Sequence, residues 1–159
     1  MANDRQISDL KTRICREIMR TQNIVDAMQP DDPKEDLMYK YIFPTFRRPD
    51  TEQEKRTMIC MRVNTYAKSN NSNNLAKTMR FIIYVITHDD LQRVESGIAQ
   101  GCTRCDYIAD QIESLFNRNP MGLTDARFVS NVEEQIDARH PMRVLIFEAD
   151  GWNTAGCMY

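Results

Sequence analysis

Cys102-Thr103-Arg104-Cys105 forms a C-x-x-C set at what reads as a helix start. At such a place the helix dipole favours a thiolate, and pairs of this kind act as redox couples. No proline is placed to serve as the cis-proline of a thioredoxin-like site, and a structural zinc site would need a second C-x-x-C or a histidine pair at matching spacing. Two ordinary cysteines at a helix start are the simpler reading. His88-Asp89-Asp90 gathers metal-ligand types at a strand end. Neighbouring side chains on a strand point to opposite faces, however, so few of the three would reach one ion. His140 sits in a turn before Pro141, and spacing suggests no partner acid for it. There is no G-x-S-x-G, no H-E-x-x-H and no Gly-rich phosphate loop. These residues argue against an enzyme, and neither a cofactor nor a metal is expected.

The remaining candidates suit contacts rather than catalysis. Arg13, Arg16 and Arg20 share one face of the first helix, away from its apolar stripe. That face is either solvated or meets an acidic neighbour. Asp31 and Asp32, with Glu35 and Asp36, lie in PDDPKED, an acidic linker punctuated by proline. Asn70, Asn71, Asn73 and Asn74 belong to KSNNSNNLAK (68–77), the one low-complexity segment. It holds little apolar area to bury and reads as a mobile hairpin tip.

The elements that must position these residues follow from periodicity. Ile7, Leu10, Ile14, Ile18, Val25 and Met28 recur at helical spacing, which predicts one amphipathic helix over 4–28, ended by Gln29-Pro30. Tyr41 to Thr51 is aromatic, but Pro44 and Pro49 cannot donate to a ladder, so it belongs at a sheet edge or in an extended arm. Strands are expected over 57–67 and 78–88, antiparallel across the Asn-rich tip. In the second of these, Phe81, Ile83 and Val85 point one way and Ile82, Tyr84 and Ile86 the other. An apolar pattern on both faces marks a central strand covered on both sides, by a helix or by another protein. Asp89 to Gly101 reads as a short helix or turn, weakened by Gly97 and Gly101. Thr103 and Asp106 form a capping box for a helix that runs to Asn119-Pro120. Phe128, Val132 and Ile136 mark a further strand, Asp137 to Pro141 a turn, and Met142 to Ala149 a last strand that is apolar on both faces. The fold class is therefore α+β, with a mostly antiparallel sheet of about four strands and the two helices packed on it.

The 159 residues make one domain, with the first helix over 1–29 and a C-terminal tail over 150–159 that nothing requires to be ordered. A net charge of -2 excludes a bulk basic field for nucleic acid or anionic membrane. No apolar run approaches a membrane span, and MANDRQISDLK lacks the apolar segment of a signal peptide. Five cysteines, an odd number without framework spacing, fit a reducing compartment. Ten methionines suit adaptable packing in a core or at a partner surface.

Taken in order, the blocks between Tyr41 and Asn153 resemble a family of small neck and tail-terminator proteins of long-tailed bacteriophages. The resemblance rests on YIFPTF, RTMICMRVNTYA, MRFIIYVITHDDL, RCDYIADQIESLFN and FVSNVEEQIDARHPMRVLIFEADGW. It implies a tail-terminator-like fold and a structural virion protein, made in the host cytoplasm and assembled as a ring, commonly a hexamer. The implied partners are other copies of itself, the tail tube protein and the head-tail connector or stopper. Phage DNA would pass through the lumen without specific binding, and no membrane is involved. Asp89, Asp90, Glu95, Glu133 and Glu134 are then candidates for lining that lumen, or else simply solvated carboxylates. The alternatives are a head-closure (stopper) protein or connector adaptor, and, from another class, a thiol-redox or metal-binding enzyme using Cys102 and Cys105.

The Asn-rich tip yields a test at this level. Its amides can both donate and accept, so a tip projecting beyond the domain suits contact with a neighbouring ring. Replacing 69–74 with Asn-Gly, which supports a tight hairpin, should leave the melting temperature nearly unchanged and stop heads joining tails. Fully infectious particles from that variant would show the tip to be dispensable.

Overall fold

The computed structural model describes residues 3–32, 35–67, 76–118 and 127–153. The Asn-rich tip, including Asn70, Asn71, Asn73 and Asn74, lies outside the described residues, as do 119–126 and 154–159. The fold is α+β, a five-stranded mixed sheet with helices layered on one face.

The amphipathic stretch expected as one helix is two, α1 (Asn3–Arg20) and α2 (Gln22–Met28). Thr21 causes the break. Its hydroxyl donates to the carbonyl of Glu17 at 2.9 Å, and its own N–H turns to Ile18 at 3.1 Å. A threonine bonded back to residue i−4 in this way bends or interrupts a helix. The amides of Ile24 and Val25 then restart the ladder on the carbonyl of Thr21. α2 ends where Gln29 takes a left-handed conformation, φ 49°, just before Pro30.

The sheet order is β1 (Ile42–Phe43), β2 (Thr57–Ala67), β3 (Ala76–Thr87), β5 (His140–Asn153) and β4 (Arg127–Asp137). The three long contacts are antiparallel; the short β1 runs parallel to β2, opposite Ile59 and Cys60. β1 is the fifth strand that the sequence reading left as an edge or arm. Two further boundaries move. The β4–β5 turn shrinks to Ala138-Arg139, because the side chain of Asp137 accepts from the N–H of Arg139 at 2.8 Å and closes it tightly. β5 continues to Asn153, where a tail from 150 was expected, because Trp152 and Asn153 pair with Lys77 and Ala76. Those two residues accordingly belong to β3 and not to the tip.

Central β3 shows why both faces of this sheet had to be covered. Met79, Phe81, Ile83 and Val85 join Ile59, Met61, Leu145 and Phe147 in the core beneath the helices. Each fully buried side chain of this size is worth about 1.5–3 kcal/mol. α1 lies over the β1–β2 side, and α4 (Arg104–Arg118) over β3, β5 and β4. On the other face Met58, Cys60, Tyr84, Ile86, Met142 and Val144 are covered by the extended segment 43–48. Phe46 meets the ring of Tyr84 edge-on at 4.7 Å, and a guanidinium N–H of Arg48 reaches the carbonyl of Ile136 on β4 at 3.2 Å. The proline-bearing arm is thus a strap across half the second face.

Arg104 ties the helical layer together from inside. It is 4% exposed; its Nε donates to the carbonyl of Leu91 at 2.8 Å, at the end of α3 (Asp89–Gln92). Its two terminal nitrogens reach the carbonyl of Ala27 and the side-chain oxygen of Gln29. One guanidinium therefore satisfies carbonyls at two helix ends. Arg104→Ala should cost on the order of 3 kcal/mol in chemical denaturation, the upper end for orphaned buried partners. Arg104→Lys should recover little of it, since an ammonium cannot span three acceptors; a neutral alanine variant would contradict this role.

Candidate interaction surface

The C-x-x-C is split by its geometry. Cys105 is 4% exposed, with its sulfur 3.4 Å from the carbonyl of Val85 and 3.7 Å from that of Pro141. Burial pushes this thiol up, the environment of an inert structural cysteine. Cys102 is exposed, and both are free thiols. The same burial raises Cys15 to about 12 and Cys60 to about 11. Thr103 stands before α4 as expected, with its carbonyl accepting from Tyr107 at 3.0 Å.

His88 and His140 clasp a loop. Both are fully buried, their rings edge-to-face at 5.0 Å. His88 accepts from the N–H of Asp90 at 3.1 Å through Nδ1, so its Nε2 donates to the carbonyl of Glu52 at 3.0 Å. His140 has Nδ1 at 2.9 Å from both carboxylate oxygens of Asp137 and Nε2 at 2.9 Å from the carbonyl of Glu54. Both of its nitrogens face acceptors, the carboxylate of Asp137 and the carbonyl of Glu54. The expectation that His140 lacks a partner acid is thereby corrected. The two-residue turn places Asp137 directly opposite His140 in the ladder, a juxtaposition that distance along the chain conceals.

The charged candidates fall in separate places. Arg13, Arg16 and Arg20 are all exposed on α1, with Arg20 3.0 Å from Glu17. Asp31 and Asp32 are exposed beyond α2, and the backbone N–H of Asp31 donates to the hydroxyl of Tyr41 at 3.2 Å. Asp89 and Asp90 meet Arg139 at 3.8 and 2.9 Å, and Asp90 also meets Lys55 at 2.7 Å. Glu95 lies 3.7 Å from Arg93 in the loop after α3. Glu133 and Glu134 are successive residues of β4 and point to opposite faces. These five carboxylates are not brought to one surface.

Sequence reasoning missed two features that the fold creates. One is a cleft of about 370 Å³ between α4 and the β4–β5 pair, lined by Cys102, Asp106, Tyr107, Asp110, Asn131 and Arg143. In it Arg143 meets Asp106 at 2.6 Å and Glu133 at 3.9 Å, while Oδ1 of Asn131 is buried with no partner among the described residues. The other is the half of the second sheet face beyond the strap. There Ile82 and Ile146 are half-buried, and Tyr66 and Val132 are each 47% exposed. Arg80 and Arg127 share the carboxylate of Glu148 at 2.6 and 3.0 Å. The signal for this face was already present in the two-sided apolar pattern of 81–86.

A protein-family model described as YomW matches residues 12–149. No curated protein matches the chain.

The electrostatics predict an acid limit to stability. The guanidinium of Arg80 holds the Glu148 carboxyl below the ordinary carboxylate range. Burial pushes Asp137 up, but the N–H of Arg139 and the imidazole of His140 outweigh it and leave it lowered. Asp106 is likewise raised by burial and lowered, on balance, by Thr103 and Arg143. A carboxyl lowered in the folded state adds stability above its unfolded value, about 4, and loses it as pH falls through the folded value. The melting temperature should therefore be flat near neutrality and fall steadily below about pH 4. Glu148→Gln should flatten that fall; an identical acid limb would remove Glu148 from the account.

Proposed function

The chain belongs to the YomW family, which is phage-derived, and on that premise we propose that it is a structural virion protein of a long-tailed phage. In this reading it forms a ring at the head-proximal end of the tail tube, stops tube growth and offers a surface to the head connector. The observation that carries the reading is the open half of the second sheet face. A domain with no other use for Ile82, Ile146, Val132 and Tyr66 would turn polar residues outward there. Half-buried isoleucines rimmed by arginines have instead the make-up of a surface that another protein covers. The net charge of -2 fits a ring through which DNA slides without being gripped.

Two measurements test this. Light scattering and negative-stain images of the purified protein should give a closed ring, and phage lacking the gene should accumulate unjoined heads and tails. A protein that stays monomeric, together with normal particles from the deletion, would overturn the proposal.

A further inference from the structure

Among the described residues both edges of the sheet carry unpaired strand, on opposite sides of the sheet. β1 pairs with β2 only at Ile59 and Cys60, so from Met61 to Ala67 the outer side of β2 faces no strand among the described residues. At the other end β4 is eleven residues long and, among the described residues, pairs only with β5; it bulges between Phe128 and Ser130 and again between Gln135 and Asp137. Between the two bulges Ser130, Asn131 and Val132 form an uncharged stretch without proline, and such an unpaired stretch is a template for strand addition. Among the described residues five large apolar side chains are exposed, and three of them lie on these two edge strands: Tyr66 on β2, and Val129 and Val132 on β4; Tyr39 stands in the turn before β1 and Ile98 in the loop after α3.

We infer that β4 of one copy adds to the free stretch of β2 in the next copy, continuing the sheet from subunit to subunit. The directions permit it. β2 runs with β5 and against β4, so neighbours related by rotation about an axis along the strands meet as an antiparallel pair. The helix layer adds charge of matching sign. α1, over the β1–β2 side, exposes Arg16, and Arg20 beside Glu17, while α4 and β4 on the other side expose Asp110, with Asp106 and Glu133 also exposed but shared with Arg143. Two different surfaces that fit each other make a head-to-tail contact, which closes into a ring when the rotation does. This inference names the subunit contact of the ring proposed above and rests on that reading.

The test uses the full chain with Cys102→Ser and Cys157→Ser, which removes the exposed thiol and the one outside the described residues. Asn64→Cys or Thr65→Cys is combined with Val129→Cys or Val132→Cys, and each pairing is oxidised mildly. At least one pairing should give a ladder of linked chains ending at the ring's subunit number, with nothing from either cysteine alone. Separately, Val129→Lys with Val132→Lys should weaken assembly by about tenfold or more at an unchanged melting temperature, while Ile98→Lys should not. Intact rings with no ladder from any pairing, or equal weakening by Ile98→Lys, would overturn the edge contact and leave the ring standing. A parent protein that is monomeric throughout would overturn the ring and the edge contact together.

Discussion

A strand that is apolar on both faces sets the terms for this fold. β3 has the carbonyls and amides of β2 and β5 on its two sides, so its backbone is satisfied within the sheet. Its side chains are not satisfied by the sheet at all. Phe81, Ile83 and Val85 need one layer, and Ile82, Tyr84 and Ile86 need another. The helices supply the first layer, and they hold position because Arg104 bonds helix ends that would otherwise bury bare carbonyls. The second layer is thinner. It is a strap of extended chain, stiffened by Pro44 and Pro49, and it spans only part of the sheet.

The two ends of the sheet consequently differ in character. At the end where β3 and β5 meet α3, two buried imidazoles fix the carbonyls of Glu52 and Glu54, and so fix the loop that follows the strap. Farther from the strap no chain among the described residues crosses the second face, which leaves Tyr66 and Val132 exposed and Ile82 and Ile146 half-buried. Rigidity at one end and an uncovered surface at the other come from the same short strap.

Much of this was legible in the chain. Two-residue alternation located β2, runs apolar on both faces located β3 and β5, and helical spacing located α4, because these patterns reflect burial directly. The break at Thr21 was not legible, since apolar periodicity continues through it and one hydroxyl decides the matter. The partnership of Asp137 with His140 was hidden until the turn length was known, because a change of one residue in a hairpin exchanges every cross-strand neighbour. The split of Cys102 from Cys105 is similar: a C-x-x-C looks like a pair on paper, but one sulfur turns into the sheet. Strand order was beyond reach altogether. Nothing local says that β5 inserts between β3 and β4, and without that neither free edge can be identified.

The arginines of the open face add a last physical point. Arg62 lies over the ring of Phe46 at 4.2 Å and near that of Tyr84 at 5.8 Å; Arg80 lies over Tyr66 at 5.4 Å. Arg80 also gives Glu148 two hydrogen bonds, and Arg127 binds the other oxygen of that carboxylate. Long cationic side chains usually lose rotamer entropy when a partner immobilises them, at about 0.5–1.5 kcal/mol each. Here aromatic rings and a shared carboxylate have restrained Arg62 and Arg80 before any partner arrives. Lysines at these positions would keep the charge but not the planar stacking or the forked hydrogen bonds. A surface restrained in advance loses less on association, so a modest apolar patch can support a stable contact without a large net charge.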